Sequence, residues 1–217
     1  MPRVARELQH GYCFHILNRG NAKARLFLDR LDYMAFVKLL AGMKAGYDIR
    51  LLAYCLMPNH FHLVLQAEAT GAMSSAMQWA QTSYAARFRT KYQSTGHIFQ
   101  GRFKSFPIQK DEHLLTVIRY VERNPVRANL VDSALQWPWS SSRWRDRANH
   151  WLDESPVPLG SEWAPYVDAP QSSTEVEALR RSITRGAPFG SHRWKGEAAK
   201  VLGLESTLRP RGRPRKT

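Results

Sequence analysis

The chain has 217 residues, enough for one well-formed core with appendages, and its 43% hydrophobic content is ordinary for a globular protein. The formal net charge of +14 is unusual, and because the lysines and arginines are spread along the whole chain they predict a basic surface that attracts nucleic acid. No apolar stretch reaches the ~18 residues of a membrane-spanning helix, and the amino terminus lacks the apolar region of a signal peptide, so we expect no membrane partner.

Two cysteines occur in the chain, without paired spacing. Cys13 and Cys55 both lie in apolar, strand-like segments. We therefore predict that they are buried thiols and that the protein is cytoplasmic and reduced.

The first half of the chain alternates strand and helix patterns. A strand is predicted over 10–17, followed by a polar, basic loop over 18–25. Asp29 can cap a helix that runs to about residue 44. Strands over 49–57 and 60–66 are joined by a short break and form a hairpin. The predicted inner side of the helix carries Met34, Val37, Leu40 and Ala41.

The next elements complete a recognisable order. A second long helix is predicted over 71–92, with Met73, Met77, Ala80, Tyr84 and Phe88 facing inward. A strand over 99–108 follows, and then a helix from Asp111 to residue 122 or 124, stopped by Pro125. The first six elements match the split β-α-β pattern, which predicts an α+β, ferredoxin-like fold. In that fold an antiparallel sheet has helices on one face, which leaves the other face free for a site.

The chain after residue 131 has a different character. We predict three parts: a main domain over 1–131, an extension over 132–207 and a basic tail over 208–217. The extension begins as irregular chain anchored by tryptophans over 132–170. Short helices are expected at about 173–183 and 194–202.

His60-Phe61-His62 is the strongest local motif. Side chains alternate along a strand, so both histidines point to one face while Phe61, Leu63 and Leu65 form a core face behind them. Two imidazoles on one face can bind a metal ion. The alternative is a pair of ordinary structural histidines.

The third helix supplies a possible second half of this site. Leu114, Val117, Ile118 and Val121 form one apolar stripe that must face the core. Thr116, Tyr120 and Asn124 lie four residues apart on a different face. A tyrosine one turn before an asparagine suits a nucleophile beside a third metal ligand. The alternative is a tyrosine packed at the domain edge, with Asn124 as a plain helix C-cap.

Three segments together resemble one family. They are Met57-Pro-Asn-His-Phe-His-Leu-Val64, Gly96-His-Ile-Phe-Gln-Gly-Arg-Phe-Lys104 and Arg119-Tyr-Val-Glu-Arg-Asn-Pro-Val-Arg-Ala128. In this order and spacing, over about residues 10 to 145, the chain resembles the REP-associated tyrosine transposases of the single-tyrosine HUH transposase family. The resemblance implies a divalent metal, Mg²⁺ or Mn²⁺, on His60 and His62, with Tyr120 as nucleophile. It also implies Asn124 as the third ligand, where the wider family often has glutamine.

The activity implied by the resemblance is cleavage and transfer of single-stranded DNA. The substrate is expected to carry a REP-like hairpin, and the intermediate is a 5′-phosphotyrosine link. Two alternatives stay open: a replication or transfer initiator with the same HUH chemistry, and a non-catalytic DNA-binding regulator. Tyr84 and Tyr92 are second choices for the nucleophile. Both a monomer and a homodimer are compatible with the sequence.

Basic residues near aromatic ones predict the DNA-binding surface, because bases stack on rings while cations meet phosphates. The tail contains Arg-Gly-Arg-Pro and resembles an AT-hook, whose arginines enter a narrow minor groove. The alternatives are that the aromatics belong to the core and that the tail adds affinity without specificity. The candidate DNA-binding residues are Arg19, Lys23, Arg25, Arg87, Arg102, Lys104, Arg123, Arg127, Arg211 and Arg213.

Overall fold

The computed structural model of the chain describes residues 10–145, 147 and 151–209. Within them the sheet has four antiparallel strands, β1 (Cys13–Arg19), β2 (Ile49–Met57), β3 (His60–Ala67) and β4 (Lys104–Ile108), in the spatial order β2-β3-β1-β4. Helix α1 (Arg30–Gly46) follows β1, and α2 (Ala72–Tyr92) follows β3. This connectivity is the ferredoxin-like split β-α-β arrangement, which confirms the predicted fold class.

The remaining helices follow the sheet in the chain. They are α3 (Glu112–Glu122), α4 (Asn124–Arg127), α5 (Trp163–Asp168), α6 (Ser173–Arg185) and α7 (His192–Val201). Pro125 lies in the first turn of α4, where its missing N–H costs nothing, so the chain continues helically beyond the predicted stop.

The two faces of the sheet have separate cores. Phe61, Leu63 and Leu65 of β3 are fully buried against α1 and α2, as their alternation predicts. The opposite face was expected to be free and is not. Val117 and Ile118 of α3 pack on it, together with Trp163 from the extension. Both cysteines are buried and free, which confirms the prediction, and burial raises the pKa of the Cys13 thiol to about 12.

Helix α1 begins where predicted but faces the core differently. Asp29 and Asp32 form a reciprocal capping box. The buried positions are Tyr33, Phe36, Leu40 and Met43, whereas Met34 is 48% exposed and Ala41 is also exposed. The predicted stripe was therefore wrong at these two positions, because the larger aromatic side chains occupy the core. The first turn is fixed by Asp32, which is buried against α2 and accepts hydrogen bonds from Lys91 and Tyr92.

Strand β4 is shorter than predicted. Residues 99–103 are irregular chain. Gly101 has φ of +153°, a backbone conformation that residues other than glycine rarely adopt. Asn18 Nδ2 donates to Gly101 O at 2.9 Å and fixes this loop beside β1. The loop therefore projects basic and aromatic side chains at the sheet edge instead of continuing the strand.

The outer edge of β2 is covered by the chain after residue 131. Leu56 N donates to Trp139 O, and Trp137 Nε1 donates to Leu56 O, both at 2.9 Å. An isolated antiparallel bridge pairs Cys55 with Ser140. These contacts satisfy strand groups that would otherwise be open to another chain.

Glu122, at the end of α3, is the polar centre of the same interface. Its carboxylate is 0% exposed and accepts hydrogen bonds from Ser141 Oγ at 2.5 Å, Arg145 Nε at 2.6 Å and Trp163 Nε1 at 2.8 Å. One buried side chain thus joins α3 to three separate positions of the extension.

No helix in the described ranges is both long enough and apolar enough to cross a membrane. The basic tail, with Arg211 and Arg213, lies outside the described residues.

Replacing Glu122 with glutamine should destabilise the protein by about 3 kcal/mol, because one acceptor oxygen becomes a donor facing buried donors and Arg145 loses its counter-charge. Thermal unfolding of Glu122→Gln against Glu162→Gln measures this. Glu162 is exposed, and its side chain makes no capping hydrogen bond to α5, so its variant should unfold like the wild type. Equal unfolding temperatures for all three proteins would show that Glu122 is not a structural centre.

Candidate active site

The histidine pair begins β3 and faces α3. His62 is 5% exposed and His60 is half-buried at the rim. Their ring centroids are 5.0 Å apart and the rings are nearly perpendicular, at 84°. Phe61 between them points into the opposite core. The strand therefore holds two imidazoles side by side on a rigid element, as the alternation predicts.

A third histidine, which the sequence analysis missed, lies directly behind the pair. His15 of β1 is 1% exposed, and its Nε2 is 2.8 Å from His62 Nδ1. The two rings are stacked, with centroids 5.0 Å apart and an interplanar angle of 27°. The β1–β3 register pairs His15 with Val64, so His15 and His62 are diagonal neighbours on one face. Only knowledge of that register could have revealed the contact.

Asn59, in the turn before β3, binds the other histidine. Its Oδ1 is 2.7 Å from His60 Nδ1, and its Nδ2 donates to Lys23 O at 3.2 Å. Gly20 N also donates to Asn59 O at 2.9 Å. The basic loop after β1 is consequently held against the turn that carries His60.

Tyr120 lies over the histidines. Its ring centroid is 6.0 Å from that of His62 and 6.1 Å from that of His15, with edge-on geometry to both. Tyr120 is only 5% exposed, so the helix face that was predicted to be distinct from the apolar stripe is also covered. Helix α3 packs flat on the sheet, and its covered face is wide enough to include Tyr120 beside the stripe of Val117 and Val121.

Asn124 sits one turn beyond Tyr120 and is 3% exposed. Its Nδ2 donates to Tyr120 O at 3.0 Å, and its Oδ1 accepts from Arg127 Nη2 at 2.6 Å. The Arg127 guanidinium also stacks 4.0 Å from the Tyr120 ring centroid. The amide oxygen expected to bind a metal is therefore already bonded to an arginine, which competes with a cation for it.

The histidines are held uncharged by their surroundings. Burial, followed by the charges of Arg19 and Arg127, lowers the pKa of His60 to about 4. Burial also lowers the pKa of His15 to about 3 and that of His62 well below its usual value. Neutral imidazoles carry the lone pairs that metal ions need, so His60 and His62 fit a divalent cation as nitrogen ligands.

Two of the predicted DNA-binding arginines border the site. Arg19 pairs with His60 across β1 and β3, and Arg127 covers Tyr120. Burial lowers the pKa of the Arg127 guanidinium, an effect that Tyr120 opposes. Lys23 and Arg25 are exposed on the loop beside them, and Arg123 is partly buried at the end of α3.

The other predicted basic residues are elsewhere. Arg87 lies across the sheet, where it forms an ion pair with buried Asp32 at 3.0 Å. Arg102 and Lys104 are exposed at the β4 edge. They line a cavity of about 920 Å³ that runs from α2 past the 97–106 segment to the end of α6. Its lining includes Gln78, Gln81, Arg89, Phe99, Phe103 and Phe106.

Within the described residues, one acidic cluster lies apart from this site. Ligand atoms of Asp111, Glu112 and His113 lie within 4.8 Å of one another. Asp111 Oδ1 already accepts from the His113 backbone N–H at 2.9 Å and lies 2.8 Å from His113 Nδ1. These contacts make the cluster the N-terminal cap of α3.

Comparison with known proteins gives a consistent result. The family model described as "Transposase IS200 like" matches residues 9–124, more than half of the chain. A protein of Haemophilus influenzae (strain ATCC 51907 / DSM 11121 / KW20 / Rd), assigned as a REP-associated tyrosine transposase, is 28% identical over 106 residues. That match covers 44% of this chain and 60% of the relative, so the chain spans under two thirds of the relative's length.

A solved structure has the same fold. It is a REP-associated tyrosine transposase bound to a REP hairpin, and it matches with a TM-score of 0.55 and 21% identity. The superposition covers 71% of this chain and 96% of the other.

Arg127→Leu should increase the affinity for Mn²⁺ in the absence of DNA by about 3- to 10-fold. The substitution frees Asn124 Oδ1 and removes a positive charge near the histidines, each of which is worth on the order of 1 kcal/mol. Titration calorimetry of the variant against the wild type measures the change. Arg123→Leu removes a nearby charge that does not contact Asn124 Oδ1, and should change the affinity less. Weaker binding by Arg127→Leu would contradict the competition between Arg127 and the cation.

Proposed function

Because this chain belongs to the IS200-like transposase family, we propose that it is a metal-dependent enzyme that cleaves and transfers single-stranded DNA beside a REP-like hairpin. One observation carries the proposal: the Tyr120 ring lies edge-on to His62 within a buried, arginine-lined site. A purely structural tyrosine needs neither neutral histidines nor cations beside it.

The arginines favour a phosphate as the ligand of this site. Nη1 of Arg127 and Nε of Arg19 are buried, and neither has a hydrogen-bond partner among the described residues. Unpaired buried donors are costly, and a phosphate oxygen is the acceptor that guanidinium groups bind best. We therefore assign Arg19 and Arg127 to the scissile phosphate. Arg123, Lys23 and Arg25 would contact flanking phosphates.

The proposed reaction is a transesterification. The Tyr120 hydroxyl loses its proton, its oxygen forms a bond to phosphorus, and the bond from phosphorus to the 3′-oxygen breaks. The departing 3′-oxygen gains a proton and becomes a 3′-hydroxyl. The 5′-phosphotyrosine link preserves one phosphodiester bond, so a second 3′-hydroxyl can reverse the step without ATP.

His60 and His62, with Asn124 once Arg127 has moved, would hold a divalent cation that neutralises charge on the scissile phosphate when bound. Two imidazole nitrogens make a softer ligand set than Mg²⁺ usually selects, so Mn²⁺ should also support activity. Arg127 then has a double role: it bonds Asn124 in the free protein and turns to phosphate in the complex.

The cavity beside β4 suits the single-stranded flank of the hairpin. Arg102 and Lys104 can meet phosphates, Phe103 offers a ring for stacking, and the Gln78 amide can reach base edges. The related structure with a bound REP hairpin supports hairpin DNA as the substrate class. Arg87 is the weakest candidate contact, because Asp32 already pairs with it.

Tyr120→Phe should abolish both cleavage of a hairpin oligonucleotide and the covalent protein–DNA adduct, because it removes the attacking oxygen. Gel analysis with Mn²⁺, followed by peptide mapping of the wild-type adduct, gives both readouts. Persistent cleavage by this variant would disprove the assignment.

The two other candidate tyrosines lie away from the histidines, and one of them provides a matched control. The Tyr84 hydroxyl donates to Leu26 O at 2.6 Å, and the Tyr92 hydroxyl donates to Asp32 Oδ2 at 2.6 Å. Both interactions belong to the α1–α2 side of the sheet. Tyr92→Phe should therefore retain cleavage and the adduct.

Replacing both Arg102 and Lys104 with glutamine should weaken binding of a hairpin with a single-stranded flank by about 10-fold, with a shallower salt dependence. Binding of the blunt hairpin should change by less than about 2-fold. Fluorescence anisotropy at two salt concentrations distinguishes the two oligonucleotides. Arg193→Gln, which removes an exposed charge paired with Glu197 on α7, is the control. Equal losses of affinity for both oligonucleotides would show that the single-stranded flank binds to another surface.

A further inference from the structure

We infer that His15 and Asn59 are positioning residues that fix the tautomers of His62 and His60, so that each histidine presents Nε2 to the divalent cation. The inference rests on the proposed function, because it assigns a purpose to the buried contacts behind the two ligands. Each ligand has one contact to its Nδ1, and the two contacts come from strand β1 and from the turn before β3.

The Asn59 contact defines the proton on His60. The Asn59 amide has one oxygen and one nitrogen, and the nitrogen donates to the Lys23 carbonyl. Its oxygen must therefore face His60 Nδ1, 2.7 Å away. An amide oxygen only accepts, so Nδ1 of His60 carries the proton. The lone pair of the neutral ring is then on Nε2, the nitrogen away from the turn.

The His15 contact likewise favours a proton on Nδ1 of His62. If His62 binds a cation through Nε2, its proton must be on Nδ1, and His15 Nε2 lies 2.8 Å from that nitrogen. His15 Nε2 then accepts a hydrogen bond from the Nδ1–H of His62. This bond fixes the orientation of the His62 ring. Metal-binding histidines characteristically use their second nitrogen in this way.

His15 itself does not fit the role of a third ligand. Mg²⁺ and Mn²⁺ prefer octahedral geometry, in which two neighbouring nitrogens bound at about 2.1 Å are about 3.0 Å apart. The gap of 2.8 Å between His15 Nε2 and His62 Nδ1 is too short for an ion and suits a hydrogen bond.

The surroundings of His15 support a fixed orientation. It is stacked on His62, and its ring lies edge-on to Phe106 at 5.9 Å and to Tyr120 at 6.1 Å. Its other nitrogen, Nδ1, is buried and has no hydrogen-bond partner within the described part of the chain. An isosteric apolar residue would avoid that cost, so the retained imidazole points to a role for its Nε2.

The first test reads the tautomers directly in metal-free protein. Nitrogen-15 NMR of the histidine rings should show His60 and His62 protonated on Nδ1 in the wild type. His15→Leu should shift His62 towards protonation on Nε2 and leave His60 unchanged. Asn59→Leu should shift His60 towards protonation on Nε2 and leave His62 unchanged. Protonation of His62 on Nε2 in the wild type would overturn the inference.

The second test measures Mn²⁺ affinity by calorimetry without DNA. His15→Leu and Asn59→Leu should each bind Mn²⁺ about 10- to 100-fold more weakly. His15→Gln and Asn59→Asp retain an acceptor oxygen and should recover most of the loss. This rescue separates the hydrogen bond from the volume of the side chain.

Val64→Ala is the matched packing control. Val64 pairs with His15 across β1 and β3 and is fully buried, but it offers no polar atom. It should unfold more easily and bind Mn²⁺ within about 2-fold of the wild type. A loss of affinity equal to that of His15→Leu would reduce His15 to a packing residue. A wild type that binds no Mn²⁺ would instead contradict the proposed metal site, and the tautomers would still be measured independently.

Discussion

The antiparallel pairing of β1 with β3 is the constraint on which the rest of this structure depends. The register sets His15 opposite Val64 and Arg19 opposite His60, and it directs these side chains to a single face. A slip of one residue would turn the histidines into the α1–α2 core and the core residues onto α3. Register is strongly specified here because both faces are buried, so the hydrophobic packing that stabilises the sheet also aligns the polar site.

The second requirement is a fixed place for α3, which brings Tyr120 to the sheet. The apolar stripe of α3 holds the helix against the sheet but does little to fix its rotation about its own axis, since apolar contacts are not directional. Glu122 provides direction, because its carboxylate is bonded to three groups of the extension. Arg119 adds a further tie, donating to Ala169 O at 2.7 Å. Tyr120, the proposed nucleophile, is thus positioned from one side by core packing and from the other by the hydrogen bonds of Glu122 and Arg119.

Much of this could be read from the sequence. Alternation predicted both faces of β3, and the order of the elements predicted the fold. Periodicity located α1 but placed Met34 inside, because a pattern of apolar residues cannot show that Tyr33 and Phe36 take the core positions. Contacts between distant segments, such as His15 with His62 and Glu122 with Trp163, leave no periodic pattern. The Arg127 bond to Asn124 was also hidden, because two residues three positions apart in a helical segment can interact or face solvent.

The covered edge of β2 has a consequence for any attempt to isolate a minimal catalytic unit. A fragment ending near residue 131 would lose Trp137, Trp139 and Ser140, and with them the hydrogen bonds along that strand. It would also remove Ser141, Arg145 and Trp163, which donate hydrogen bonds to the Glu122 carboxylate. Such a fragment would present an unprotected strand edge beside an unstable helix, a combination that favours aggregation over folding. The chain beyond the sheet is therefore an integral part of the folded domain, and a stable fragment would have to include it.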